Sequence, residues 1–181
     1  MGLVICMDTV IRKASIEDAE TIGYITSYSW QAAYKGIIPD DYLAGITPES
    51  RAERFRTVLK QRPDVEFYLV LADDIPIGVM NLHPCADDDA KGCGEIGVFY
   101  FLPEYWGMGC AAQAMEFALD RLRERGFPTV ILWVLEENLR ARRFYEKNGF
   151  ILDGERKTVN LGKDLIEVRY WKSIGASPPI P

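Results

Sequence analysis

The sequence predicts an α/β fold, or α+β under some schemes: a mixed sheet of six to seven strands with helices on both faces. Three observations carry this expectation. Short runs of strand formers alternate with stretches of helical period in the order β-α-α-β-β-β-α-β-α-β-β. Glu95 to Leu135 reads strand–helix–strand, and such a crossover implies a parallel pair. The short acidic turn at Asp73-Asp74, between two strand candidates, implies an antiparallel pair.

Each element has its own signal. Thr9 to Ser15 is a short strand, and Ser15 with Asp18 three residues on forms a capping box. Ala19, Ile22, Ile25, Ser29 and Ala33 then recur at helical spacing up to Gly36. "IIPDDYL" reads as a turn. Thr47-Pro48 is an N-cap and N1 pair, opening a helix whose apolar face is Ala52, Phe55, Val58 and Leu59. Strands come next at Glu66–Asp73 and Pro76–His83. After a polar loop, a strand from Glu95 to Leu102 has apolar residues on both faces, hence a central one. A helix to Arg125 places Ala112, Met115, Ala118, Leu119 and Leu122 on one side and charged residues on the other. Thr129–Leu135 is a buried strand, Asn138 caps the last helix, and Gly149 is its C′ glycine. Strands around Phe150–Leu152 and Leu165–Trp171 finish the pattern.

The 181 residues fit one domain, expected at 8–172, with 173–181 a proline-rich tail. A formal net charge of −6 sets the overall field against nucleic acid and anionic membranes as partners. Cys6, Cys85, Cys93 and Cys110 lack C-x-x-C spacing, and His83 is the single histidine, so neither a metal site nor a disulfide framework is expected. His83 ends a strand, where a lone histidine reads as structural. The N-terminus lacks a signal peptide's basic start and long apolar core, and no stretch approaches the ~18 apolar residues of a membrane helix. A cytoplasmic location is the expectation.

"PEYWGMGCA", Pro103 to Ala111, loses side chains at the mouth of a predicted helix. A helix start offers four unpaired N–H groups and roughly +0.5 of a unit charge, and glycines let a phosphate approach them. By itself the G-x-G is equally a tight strand-to-helix turn. It is not a dinucleotide fingerprint, since Ala112 stands where a third glycine is needed, and no G-K-[ST] of a P-loop comes after it.

Other residues sharpen this reading. From Glu95 to Phe150 the chain resembles the GCN5-related N-acetyltransferase (GNAT) family, whose main motif reads Q/R-x-x-G-x-G/A after a hydrophobic strand. "LPEYWGMGCA" aligns with it, with Trp106 at the Q/R position, Gly109 at the glycine and Ala111 at the last position. "ENLRARRFYEKNGF" matches the second signature, an asparagine followed by a helix ending F-Y-E-K-x-G-F. The resemblance implies a splayed sheet, acetyl-CoA as co-substrate, no metal, and direct acetyl transfer to an amine, that of a small molecule. A protein or peptide acceptor is the alternative within enzymes. A non-catalytic acyl-CoA-binding module is the alternative outside them, and a homodimer is left open.

The resemblance also implies roles. Tyr145 aligns with the tyrosine that protonates the departing thiolate, and a phenol near pKa ~10 suits a thiol leaving group. Glu95 is the candidate base, directly or through water. The backbone of Phe99 and Phe101 would hydrogen-bond the pantetheine like an added strand. The loop of Trp106, Gly107, Met108, Gly109, Cys110 and Ala111 would hold the pyrophosphate, with Cys110 having no nucleophilic role. Trp106 removes the family's Arg or Gln contact and packs over either the strand or the cofactor. Asn138 would bridge to the pantetheine arm, in competition with capping its helix. Trp30 and Tyr34, one turn apart, and Asp40 and Asp41 either hold a cationic acceptor by ring faces and charge or are core and solvated loop residues.

Overall fold

Asp73 and Asp74 both adopt positive φ, 49° and 62°, a two-residue hairpin turn whose twist matches the strands it joins. In this computed structural model, which describes residues 9–175, they link β2 (Glu66–Ala72) to β3 (Ile75–Pro84). The other strands are β1 (Thr9–Lys13), β4 (Gly94–Phe101), β5 (Thr129–Leu135), β6 (Ile151–Asn160) and β7 (Asp164–Ser173). The helices are α1 (Ala19–Ala33), α2 (Asp40–Ala44), α3 (Pro48–Gln61), α4 (Cys110–Glu124) and α5 (Leu139–Lys147). Cys6 and most of the proline-rich tail lie outside the described residues.

The seven strands form one sheet in the order β1-β2-β3-β4-β5-β7-β6. Of the strand pairs, β4 with β5 runs parallel and the others antiparallel. The expected mixed sheet is therefore present, with β4 at its centre. Side chains along β2 alternate between two cores. Phe67 and Leu69 join Ile22 and Ile25 of α1 and Ala52 and Phe55 of α3. Tyr68, Val70 and Ala72 join Ala114, Met115, Ala118 and Leu122 of α4 on the opposite face. Each fully buried aliphatic side chain contributes about 1.5–3 kcal/mol relative to exposure, so these two layers hold the helices to the sheet.

Two elements depart from the sequence reading. The "IIPDDYL" turn contains the short helix α2, because Pro39 precedes a single turn that buries only Leu43. The strand expected at Phe150–Leu152 runs on to Asn160 as β6. It is an edge strand, polar and exposed along most of its length, so apolar alternation does not mark it.

Two glycines permit close approaches between elements. A Cβ on Gly23 would lie 2.3 Å from the Pro48 carbonyl oxygen, so only glycine lets α1 and the start of α3 come this near. Thr47 caps α3 there, its Oγ1 accepting from the Ser50 N–H at 3.2 Å. On β4, a Cβ at Gly97 would lie 2.6 Å from His83 Nε2 and 2.9 Å from Asn81 Oδ1.

Candidate active site

The centre of the sheet opens because β4 and β5 pair at only two positions, Gly94 with Val130 and Glu95 with Ile131, and then diverge. The register of β3 against β4 shifts at the same level, between Asn81 and Leu82, with Gly97 the extra residue. Asn81 Oδ1 accepts the Val98 N–H at 2.7 Å and so takes the place of a ladder carbonyl at this bulge. Beyond it, the Leu102 N–H bonds the Ile77 carbonyl on the β3 side. Strand alternation then turns the Phe99 and Phe101 backbone groups toward the gap left by β5.

A cavity of about 230 Å³ fills this gap, between Glu95 and Phe99 on β4, Trp133 and Leu135 on β5, Asn138, and Arg140 and Tyr145 on α5. Asn138 is buried, and its Oδ1 accepts the Ala141 N–H at 3.2 Å, capping α5. Of the two side-chain amide atoms only the oxygen can accept, so the nitrogen is left to donate. Capping thus occupies the oxygen of Asn138 and leaves its amide nitrogen for the other role expected of it. At Phe101 the carbonyl is already taken, by Ser29 Oγ at 2.9 Å and Trp106 Nε1 at 2.8 Å. That leaves Phe101 only its N–H for an added strand, whereas Phe99 keeps its carbonyl as well.

The glycine loop sits at the start of α4. Gly107 and Gly109 have φ of 80° and 88°, and Gly109 is the N-cap in the left-handed region, which explains both glycines. Among the described residues, the backbone N–H groups of Gly107, Gly109 and Ala111 donate to no protein acceptor. Three free amides at the positive end of a fifteen-residue helix fit an anion such as a pyrophosphate. Met108 is exposed beside them, and Cys110 is fully buried at the first helical position. Trp106 lies over the strand: its Nε1 holds the Phe101 carbonyl, and the Arg140 guanidinium stacks on its ring 3.2 Å from the centroid.

Tyr145 is buried, packed against Phe150 and Tyr170, and borders the cavity. Burial, reinforced by the nearby Tyr100 phenol, pushes its pKa well above that of a free phenol, so it stays protonated. Glu95 stands at the point where β4 and β5 part. Burial raises its pKa, Asp87 adds to the rise, and His83 and Lys157 oppose it. His83 stands across the β3–β4 pair, with Nδ1 3.9 Å from Glu95 Oε2. Nδ1 also lies 3.0 Å from the Pro84 carbonyl, which has no proton to give, so in the neutral ring Nδ1 carries the hydrogen and Nε2 is the free base. A lone histidine gives no sign of this arrangement in the sequence. The signal that could have found it is the glycine at position 97, whose missing side chain makes room for the ring.

On the other side of β4 lies a second cavity, of about 450 Å³, bordered by α1, α3 and β4 and including Trp30, Arg51, Arg54, His83 and Tyr100. Trp30, Gly97, Tyr100, Leu161 and Glu167 border both cavities, so the two meet at the bulge. Trp30 and Tyr34 come together as expected, edge to face at 4.9 Å, and Tyr34 borders the first cavity. One face of Trp30 is already covered by the Arg51 guanidinium at 4.4 Å, which counts against an external cation there. Asp40 and Asp41 lie at the start of α2 and border neither cavity. Among the described residues no cluster of His, Cys, Asp or Glu could hold a metal ion. Nor, among them, is any helix long and apolar enough to cross a membrane.

Residues 30–150 match the model of the acetyltransferase (GNAT) family. The chain belongs to the GNAT family. It is thus an enzyme of the N-acetyltransferase class, and the resemblance seen in the glycine loop and α5 holds. Over 148 residues it is 28% identical to spermidine N(1)-acetyltransferase of Thermoplasma acidophilum, covering 80% of this chain and 89% of that one. It is 24% identical over 130 residues to the uncharacterized N-acetyltransferase YuaI of Bacillus subtilis, 71% of this chain and 72% of that one. Among solved structures, PaiA N-acetyltransferase from T. acidophilum in complex with coenzyme A superposes with a TM-score of 0.70 at 26% identity, covering 92% of this chain and 99% of that one.

Proposed function

We propose that this GNAT enzyme transfers an acetyl group from acetyl-CoA directly to the primary amine of a small molecule. The observation that carries the reading is the parting of β4 from β5 just after Glu95, which opens a cavity between Phe99, Asn138 and Tyr145. The pyrophosphate rests on the amides of Gly107, Gly109 and Ala111, and the pantetheine pairs with the Phe99 backbone and the Asn138 amide. The PaiA relative is in complex with coenzyme A, which supports acetyl-CoA as the co-substrate.

The amine enters from the second cavity and meets the thioester at the bulge. Its nitrogen attacks the carbonyl carbon, the carbon–sulfur bond breaks, and the Tyr145 hydroxyl gives its proton to the departing sulfur. The amine's proton passes to Glu95, directly or through water, with His83 alongside. Cys110, buried in α4, takes no covalent part.

A small acceptor is favoured over a protein because the β6–β7 turn covers part of the second cavity. That turn brings Leu161 to its border, and Gly162 packs so tightly on Tyr42 that a Cβ would lie 2.9 Å from the tyrosine's own. The spermidine activity named for one relative also supports a small amine. The test is calorimetry with acetyl-CoA, followed by an acetyl-CoA consumption screen across polyamines, amino acids, aminoglycosides and peptides. Binding with turnover on a small amine is expected. Absence of binding at millimolar acetyl-CoA, or turnover confined to peptides, would overturn it.

A further inference from the structure

We infer that the acceptor carries an anionic group, a carboxylate or a phosphate, in addition to its amine, and that Arg51 with Arg54 binds that group in the second cavity. This deepens the function proposed above and rests on it for the identity of the cavity as the acceptor site.

Two guanidinium groups line this cavity, from positions three apart on one face of α3. Among the described residues neither makes an ion pair, whereas Arg12, Arg62, Arg121 and Arg169 each hold a carboxylate. Arg51 Nε is buried with no hydrogen-bond partner. Trp30 Nε1, on the ring that Arg51 covers, is also buried without a partner at hydrogen-bonding geometry, the Tyr100 hydroxyl being the polar group beside it. Both orphaned atoms are donors. Buried donors are ordinarily satisfied, so Arg51 stands here without the protein acceptor that a buried guanidinium usually finds. Burial lowers the pKa of Arg51, and the like charge of Arg54 lowers it further; an anion between them offsets both effects.

The same site is hostile to a polycation. Among the described residues the only carboxylate bordering the cavity is that of Glu167, and Lys157 Nζ already lies 3.4 Å from it. The face of Trp30 that would receive an ammonium carries Arg51 instead. A polyamine would therefore meet two unpaired guanidinium groups and one neutralised carboxylate. An amino acid or a phosphorylated amine places its anion on the arginines and its nitrogen toward Gly97, Glu95 and the thioester.

Calorimetry on the full chain saturated with coenzyme A tests this without relying on turnover. The probes are β-alanine against β-alaninamide, phosphoethanolamine against ethanolamine, and spermidine. One anionic member should bind about tenfold or more tightly than its neutral partner, equivalent to ~1.4 kcal/mol, and the pair that shows the difference identifies carboxylate or phosphate. The preference should vanish in Arg51→Met and survive in part in Arg51→Lys, which keeps the charge but loses the fork. Unchanged coenzyme A affinity in both variants reports that they fold. The inference is overturned if spermidine or the neutral members bind as tightly, if no anionic member binds, or if Arg51→Met keeps the preference. Anion-selective binding with no acetyl transfer would sink the proposed reaction and leave the anion site standing; transfer to neutral amines without preference would do the reverse.

Discussion

Arg140 stacks on the ring of Trp106 while Trp106 Nε1 donates to the Phe101 carbonyl. One residue thus ties the start of α5 to the end of β4, beside the loop whose free amides suit an anion. Trp106 stands where the family motif has Arg or Gln, and Arg140 brings a cation onto its ring at the border of the first cavity. The tryptophan holds it there through its ring face, an interaction worth roughly 0.5–2 kcal/mol.

We predict that Trp106→Ala and Arg140→Ala each weaken acetyl-CoA binding several-fold, and that their effects are not additive. A double-mutant cycle read by calorimetry measures the coupling. Additive losses would mean that the two residues act independently. Trp106→Arg, which restores the family residue, should recover much of the affinity lost in Trp106→Ala.

Burial keeps Tyr145 protonated at neutral pH, as a donor must be, while making it a weaker acid than the free phenol whose pKa matches the thiol. Tyr145→Phe keeps the ring packing against Phe144 and Phe150 and removes only the hydroxyl. Turnover should fall by roughly 10²-fold or more, the usual scale of general acid catalysis, while acetyl-CoA affinity changes little. Steady-state kinetics with calorimetry checks this, and unchanged turnover would remove the acid role.

Glu95 acts as a base only when ionised, and its pKa is raised, so activity should decline with falling pH from above the ordinary carboxylate range. Glu95→Gln should lower kcat/KM and flatten that acidic limb. His83 favours the ionised form of Glu95, so His83→Gln should move the limb to higher pH. Asp87 acts in the opposite sense, which gives Asp87→Asn the reverse shift. A pH–rate profile of each variant checks these directions, and a limb that stays in place in all three would assign it to another group.

The elements were legible in the sequence wherever an apolar period or a cap marks them: α4 by its stripe of Ala, Met and Leu, α5 by Asn138 and Gly149, the β2–β3 hairpin by Asp73-Asp74. Polar β6 was legible only at its start, because an exposed edge strand needs no apolar alternation, and α2 was hidden in a turn by its five-residue length. Tyr145, Glu95, Asn138 and the glycines were legible as candidates because motif spacing runs along the chain. His83 was not, because its relation to Glu95 is a cross-strand one.

By itself, then, the sequence determined the alternation of elements, the family, and the residues that end a strand or open a helix. Those features depend on local periodicity and on chain order. The tertiary structure alone decided that Trp106 serves Arg140 and the Phe101 carbonyl, that Gly97 makes room for His83, and that Trp30 lies under Arg51. Each of these contacts depends on sheet register or on the packing of one helix against its neighbours, and no local pattern encodes such a meeting.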